Sequence, residues 1–179
     1  MQTEQFLNDY NEKIESIKNK FCKAESIVKR VELILYKSII PVINELRYCG
    51  SHLLLALTSI KKEEIENNLN EAEDHCNRAL YDAYEITIII YIEKIFAIYE
   101  EFRQINFCSV IPDWIQIQKE IYNIQNYIAQ TSKNHLVDDD FNKVDGYMED
   151  IISKYEYISC GRIDLNREKS RLLKQRIIT

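Results

Sequence analysis

Ile86-Thr87-Ile88-Ile89-Ile90-Tyr91-Ile92 is the stretch on which the fold class turns. Its β-branched residues suit a buried strand, and no polar alternation marks one face as solvated. What decides against a strand is the absence of any turn residue on either flank. Upstream, Ile65, Leu69, Ala72, Cys76, Ala79 and Ala83 recur at three–four spacing, and downstream the apolar run passes into Glu93-Lys94 without Gly or Pro. The reading is a third helix from Lys62 to Gln104, amphipathic in its first half and buried on several sides in its second. The apolar run is far shorter than the roughly 20 residues of a membrane span, so no transmembrane segment is expected.

Composition agrees with that reading. Only 3 Gly and 2 Pro occur in 179 residues, which leaves little turn chemistry for hairpins or a wound sheet. A first helix is expected from Thr3 to about Ile39, with Phe6, Tyr10, Ile14, Ile17, Phe21, Ala24, Val28 and Val31 at helical spacing. Pro41 breaks the chain and suits the first turn of a second helix reaching about Ile60, whose seam reads as Ile43, Leu46, Gly50, Leu53, Leu57 and Ile60. After a turn between Asn106 and Pro112, a fourth helix carries Trp114, Ile117, Ile121, Ile124 and Ile128 to about Gln130. A loop from Ser132 to Asp140 leads to a fifth helix over about Asp139–Ser159, closed by Gly161, and a basic helix at about 163–178 ends the chain. The expectation is one all-α domain over residues 1–179: a single helical bundle of about five to six helices, with long first and third helices.

The formal net charge is -6, which argues against a chain that coats nucleic acid with positive field. Between Arg162 and Arg176, six basic residues face two acidic ones, so that segment carries about +4 and the remainder about -10. Arg167, Lys169, Arg171 and Lys174 are therefore candidate contacts for RNA or an acidic partner, the bland alternative being neutralisation of the chain's own acidic body. Cys22, Cys49, Cys76, Cys108 and Cys160 form no C-x-x-C pair and no disulfide framework. The polar, acidic opening Met1-Gln2-Thr3-Glu4 is unlike a secretory leader. A cytoplasmic protein with reduced thiols is expected. The 12 Tyr are not interleaved with Lys or Arg as a base-stacking platform requires, so core or subunit-interface roles are expected for Tyr81, Tyr84, Tyr91 and Tyr99.

Two polar constellations stand out. In Glu45-Leu-Arg47-Tyr-Cys-Gly-Ser-His52, a permanently charged guanidinium lies five positions from an imidazole that titrates near neutrality. On a straight helix five positions rotate a side chain by about 140°, so Arg47 and His52 converge only through a bend at Gly50 or across two subunits. The second constellation, Glu71, His75, Arg78 and Asp82, occupies i, i+4, i+7 and i+11 along one helix side. It reads either as a charge ladder or as a groove wall beside Arg47. Metal readings are weaker. A Glu-x-x-His pair is absent, since Cys49, Ala72 and Ser132 stand three before His52, His75 and His135. Cys49, His52, His75 and Cys76 offer zinc-type ligands, but adjacent helical residues point about 100° apart. Asp138-Asp139-Asp140 lacks the alternation and glycine of a calcium loop. No metal and no cofactor are expected.

An all-helical chain carrying Arg47-x4-His52 resembles the HEPN superfamily (higher eukaryote and prokaryote nucleotide-binding domains). That resemblance implies a dimerising helical bundle and a metal-independent endoribonuclease of bacterial defence or toxin–antitoxin systems, its composite site built from two copies. Arg47 would stabilise phosphate charge and His52 would act as general acid or base, with Glu45, His75 and Arg78 auxiliary. Two features depart from the family pattern: Tyr48 follows the motif Arg where catalytic members often carry a polar residue, and the motif lies early in the chain. The alternative expectation is a non-enzymatic helical interaction protein such as an antitoxin, adaptor or assembly subunit. Both readings expect a homodimer or larger protein complex and no membrane, and the first adds RNA.

Overall fold

The computed structural model describes residues 2–131 and 138–178, with side chains for 9–131 and 140–175. The expected roles of Thr3 and Phe6, the loop at 132–137 with His135, and the side chains of Asp138 and Arg176 lie outside the described residues. Among the described residues the chain is all-α, in the helical-bundle class, and has no strand. The helices are α1 (Gln2–Leu35), α2 (Ile40–Thr58), α3 (Lys62–Glu101), α4 (Trp114–Thr131), α5 (Asp138–Cys160) and α6 (Arg162–Ile178), with a 3-10 turn at Phe107–Ser109.

The Ile86–Ile92 stretch is helical, and Thr87, Ile88, Ile90, Tyr91 and Ile92 are buried while Ile89 is exposed. A helix closes its backbone hydrogen bonds within itself, whereas a buried strand needs a neighbour to pair with. α1 ends at Leu35, short of the expected Ile39. Tyr36 there adopts φ 53, and its N–H bonds to the Glu32 carbonyl at 2.8 Å. The Glu32 side chain turns forward to accept from the Ile39 N–H at 3.2 Å, closing the corner before Pro41.

Contacts group the chain into two compact units, Met1–Tyr84 and Glu85–Thr179, with the division inside α3. In the first unit the core gathers Ile17, Cys49, Ala56, Leu69, Ala72 and Cys76, with Tyr10, Ile14, Phe21, Leu53 and Ile65 packed against it. Small residues dominate where α2 meets α3, and the Cys76 and Cys49 sulfurs approach to 3.0 Å as free thiols. The thiol–thiol hydrogen bond it donates, and then burial, push the Cys76 thiol upward, while accepting that bond lowers Cys49.

The buried face of α2 is only partly the seam expected from sequence: Leu46 is buried and Leu53 packs against the core, as expected, but the rest of the seam is displaced. Val42, Leu46, Cys49 and Ala56 are buried, while Ile43, Leu57 and Ile60 are exposed. α2 is apolar over most of its circumference, so two three–four stripes compete for the core. The stripe with small residues allows close approach to α3 and takes the inside.

In the second unit, every expected apolar position of α4 is buried: Trp114, Ile117, Ile121, Ile124 and Ile128. Trp114 anchors an aromatic group in which it stacks on Tyr99 at 4.8 Å and meets Phe107 at 4.9 Å and Phe96 at 6.1 Å. Gly161 follows α5 as expected, but its φ is not positive. Its role is steric, because a Cβ there would lie 2.7 Å from Ile111 Cδ1. Asp140 belongs to α5 and accepts from the Tyr127 hydroxyl at 2.8 Å.

Candidate functional site

One side of α2 and one side of α3 bring the polar residues of the first unit together. Glu45, Tyr48 and His52 recur at three–four spacing on α2, and Asn68, Glu71, His75 and Arg78 do so on α3. At the centre, Glu45 Oε2 accepts from His75 Nδ1 at 2.8 Å and from Arg78 Nε at 2.9 Å. The guanidinium also lies 2.8 Å from His75 Nδ1. Burial raises the Glu45 pKa, but the hydrogen bonds from His75 and Arg78 and their charges outweigh it, so the carboxyl is held below its ordinary value. An ionised carboxylate has no proton to donate, which puts the proton of the Glu45–His75 contact on His75 Nδ1.

The His52 ring stacks on the His75 ring, centroids 5.3 Å apart and planes 19° from parallel, and Tyr48 packs on the same imidazole at 5.3 Å. His52 Nδ1 lies 3.0 Å from Asn68 Oδ1. The Asn68 amide nitrogen is already committed to the Glu64 carbonyl at 2.8 Å, so its oxygen faces His52 as an acceptor. His52 is therefore also protonated at Nδ1. In its neutral form each imidazole then carries its lone pair on Nε2.

Glu45, His52, His75 and Arg78 thus share one locale, and His75 and Arg78 take Glu45 on α2 as their partner. Arg47 is elsewhere. It leaves α2 about 140° away from His52 and lines a cleft with Phe21, Glu25, Val28, Glu32, Ile43 and Leu46, its guanidinium over the Tyr48 ring at 5.2 Å. α2 runs unbroken through Gly50, from Ile40 to Thr58. In α6, Arg167 pairs with Asp164 at 2.8 Å and Arg171 with Glu168 at 2.9 Å, and both share an exposed face with Lys174. Lys169 turns away to the Glu101 carbonyl at 3.2 Å and the Phe102 ring at 5.3 Å.

Asn68 was not singled out from sequence. A signal for Asn68 exists: the α3 stripe of Glu71, His75 and Arg78 extends one turn earlier to position 68. Comparison with known proteins adds nothing to the site, since no family model, curated protein or solved structure matches the chain.

Proposed function

We propose that the chain is a helical interaction protein that self-associates through α2. The observation that carries this reading is an apolar stripe on that helix which the chain leaves uncovered. Ile40, Ile43, Leu54 and Leu57 are 57%, 38%, 65% and 55% exposed. With Arg47 and Gly50 they occupy i, i+3, i+7, i+10, i+14 and i+17, the spacing of a two-helix seam.

The stripe is self-complementary. In an antiparallel two-fold pairing Ile40 meets Leu57 of the second copy, Ile43 meets Leu54, and Arg47 lies against Gly50. Gly50 supports this register, because among the described residues nothing lies within 4 Å of the position its Cβ would take. A glycine in mid-helix costs about 0.5–1 kcal/mol relative to Ala, and no contact among the described residues requires it. A second copy crossing closely at this point does. The exposed face of Arg167, Arg171 and Lys174 is a polar contact surface for a further, acidic partner.

RNA cleavage by Arg47 and His52 is the second reading. It requires a guanidinium and an imidazole on one phosphate, and the two side chains diverge within one chain. The proposed pairing sets Arg47 against Gly50 of the mate and leaves His52 on the far side of α2. The interaction reading is therefore preferred.

Sedimentation tests it. The chain is expected to be a concentration-dependent dimer, and Leu54→Lys with Leu57→Lys to yield a folded monomer, since both sites are exposed within one chain. A dimer unaffected by that double change, or a monomer at all concentrations, overturns the proposal. Incubation with RNA in chelator is expected to leave the RNA intact. Cleavage that is lost in both Arg47→Ala and His52→Ala restores the nuclease reading.

A further inference from the structure

We propose that His52, Glu71 and His75 form a binding site for a divalent transition metal of the zinc class. One ligand atom from each residue lies within 4.8 Å of the other two. This goes beyond the self-association reading and does not depend on it, because the three residues sit on the face of α2 and α3 away from the apolar stripe.

The argument rests on how the two imidazoles are held. A metal-binding histidine needs one nitrogen free as a lone pair and is oriented by a hydrogen bond from the other to a carboxylate or carbonyl oxygen. In its neutral form each ring meets that requirement. His75 Nδ1 is bonded to the Glu45 carboxylate at 2.8 Å, and His52 Nδ1 to the Asn68 amide oxygen at 3.0 Å. Asn68 is itself fixed by the Glu64 carbonyl. The two rings stack face to face, with planes 19° from parallel.

Glu71 supplies the third donor. It stands one helical turn before His75 on α3, is exposed, and rotates about three side-chain torsions. Tetrahedral ligands about 2.0–2.1 Å from zinc are about 3.3 Å apart, so the ligand atoms must draw together by up to about 1.5 Å. The flexible carboxylate takes up most of that movement. Two nitrogens and one oxygen suit zinc, cobalt or nickel and are too few oxygens for calcium or magnesium. Three protein ligands leave a fourth position open to water or to a partner's side chain, unlike a closed four-ligand structural site. Arg78, drawn onto Glu45, offsets that carboxylate's charge and keeps it as the orienting partner of His75.

Titration of the chelator-treated full chain with Zn2+ and with Co2+ tests this. Saturable binding of one ion per chain is expected, with cobalt giving tetrahedral visible bands and no thiolate charge-transfer band. His52→Ala and His75→Ala are each expected to weaken binding more than about 100-fold, and Asn68→Ala, which removes the orienting bond together with the Asn68 tie to the Glu64 carbonyl, by about 10–100-fold. Glu71→Gln, an exposed change that keeps the fold, is expected to weaken binding and perturb the cobalt spectrum. Glu66→Gln, on the same helix, should leave both unchanged. A thiolate band, which would place the ion at Cys49 and Cys76, overturns the proposal. So does the absence of saturable binding, or affinity unchanged in Glu71→Gln and Asn68→Ala.

Discussion

Gly50→Ala separates what α2 needs within one chain from what it needs in a pair, because the two have opposite signs. Gly50 lies in the interior of the 19-residue helix α2, its φ is not positive, and an added Cβ meets nothing within 4 Å. Alanine there removes the entropic cost of a helical glycine and brings no clash. The isolated chain should gain about 0.5–1 kcal/mol. For a protein of this size that corresponds to a rise in melting temperature of about 2–4 °C. In the self-associated state the same methyl group stands where Arg47 of the second copy crosses, so it separates the helices and weakens the dimer. The assay is a pair of measurements on one variant: thermal melting at a concentration low enough to hold the monomer, and sedimentation equilibrium at higher concentration. A more stable monomer with a looser dimer is expected. A more stable monomer whose dimer is equally tight or tighter refutes the role given to Gly50. A less stable monomer refutes the claim that the chain itself has no use for the glycine.

Three further outcomes follow from the packing and charges. Gly161→Ala sets a Cβ against Ile111 Cδ1 and should cost about 1–3 kcal/mol, read as a lower urea midpoint. Trp114→Ala empties the centre of the Tyr99, Phe107 and Phe96 group and should cost about 3–5 kcal/mol, with loss of the near-ultraviolet aromatic circular dichroism. For Glu73, burial raises the carboxyl pKa, but hydrogen bonds from Lys20 and Ser16 and the charges of Lys20 and Lys13 outweigh it, as the partners of Glu45 do there. Both folded-state values lie below the unfolded one, so the stabilisation is complete above about pH 4.3 and is lost as pH falls through the lowered values. Each carboxylate is partly exposed, which limits its share to about 1 kcal/mol. Glu73→Gln should flatten the acid limb of a stability–pH profile, and an unchanged slope counts against the pairing with Lys20 and Lys13.

The fold class was legible because it rests on local physics. With so few Gly and Pro residues, the Ile86–Ile92 run had no exit from the helix that surrounds it, and α4 buried each apolar position its spacing named. Spacing on α3 also grouped Glu71, His75 and Arg78 on one side, since a helix fixes which residues are neighbours three and four apart. The sequence even set the divergence of Arg47 from His52, because a helix unbroken between them turns 100° per residue.

Tertiary structure decided what periodicity leaves degenerate. On α2 two apolar stripes satisfied the same spacing, and the preference of α3 for small residues at close approach put Cys49 and Ala56 inside and left Leu54 and Leu57 in water. The pairing of His75 and Arg78 with Glu45, 30 and 33 positions away, depended on how two helices register against each other. Asn68 became the acceptor for His52 through the same registration, and no pattern within one helix encodes it. Intrahelical geometry is carried by the backbone and can be counted from sequence, while contacts between helices are chosen by side-chain volume and hydrogen bonding and exist only once the chain has packed.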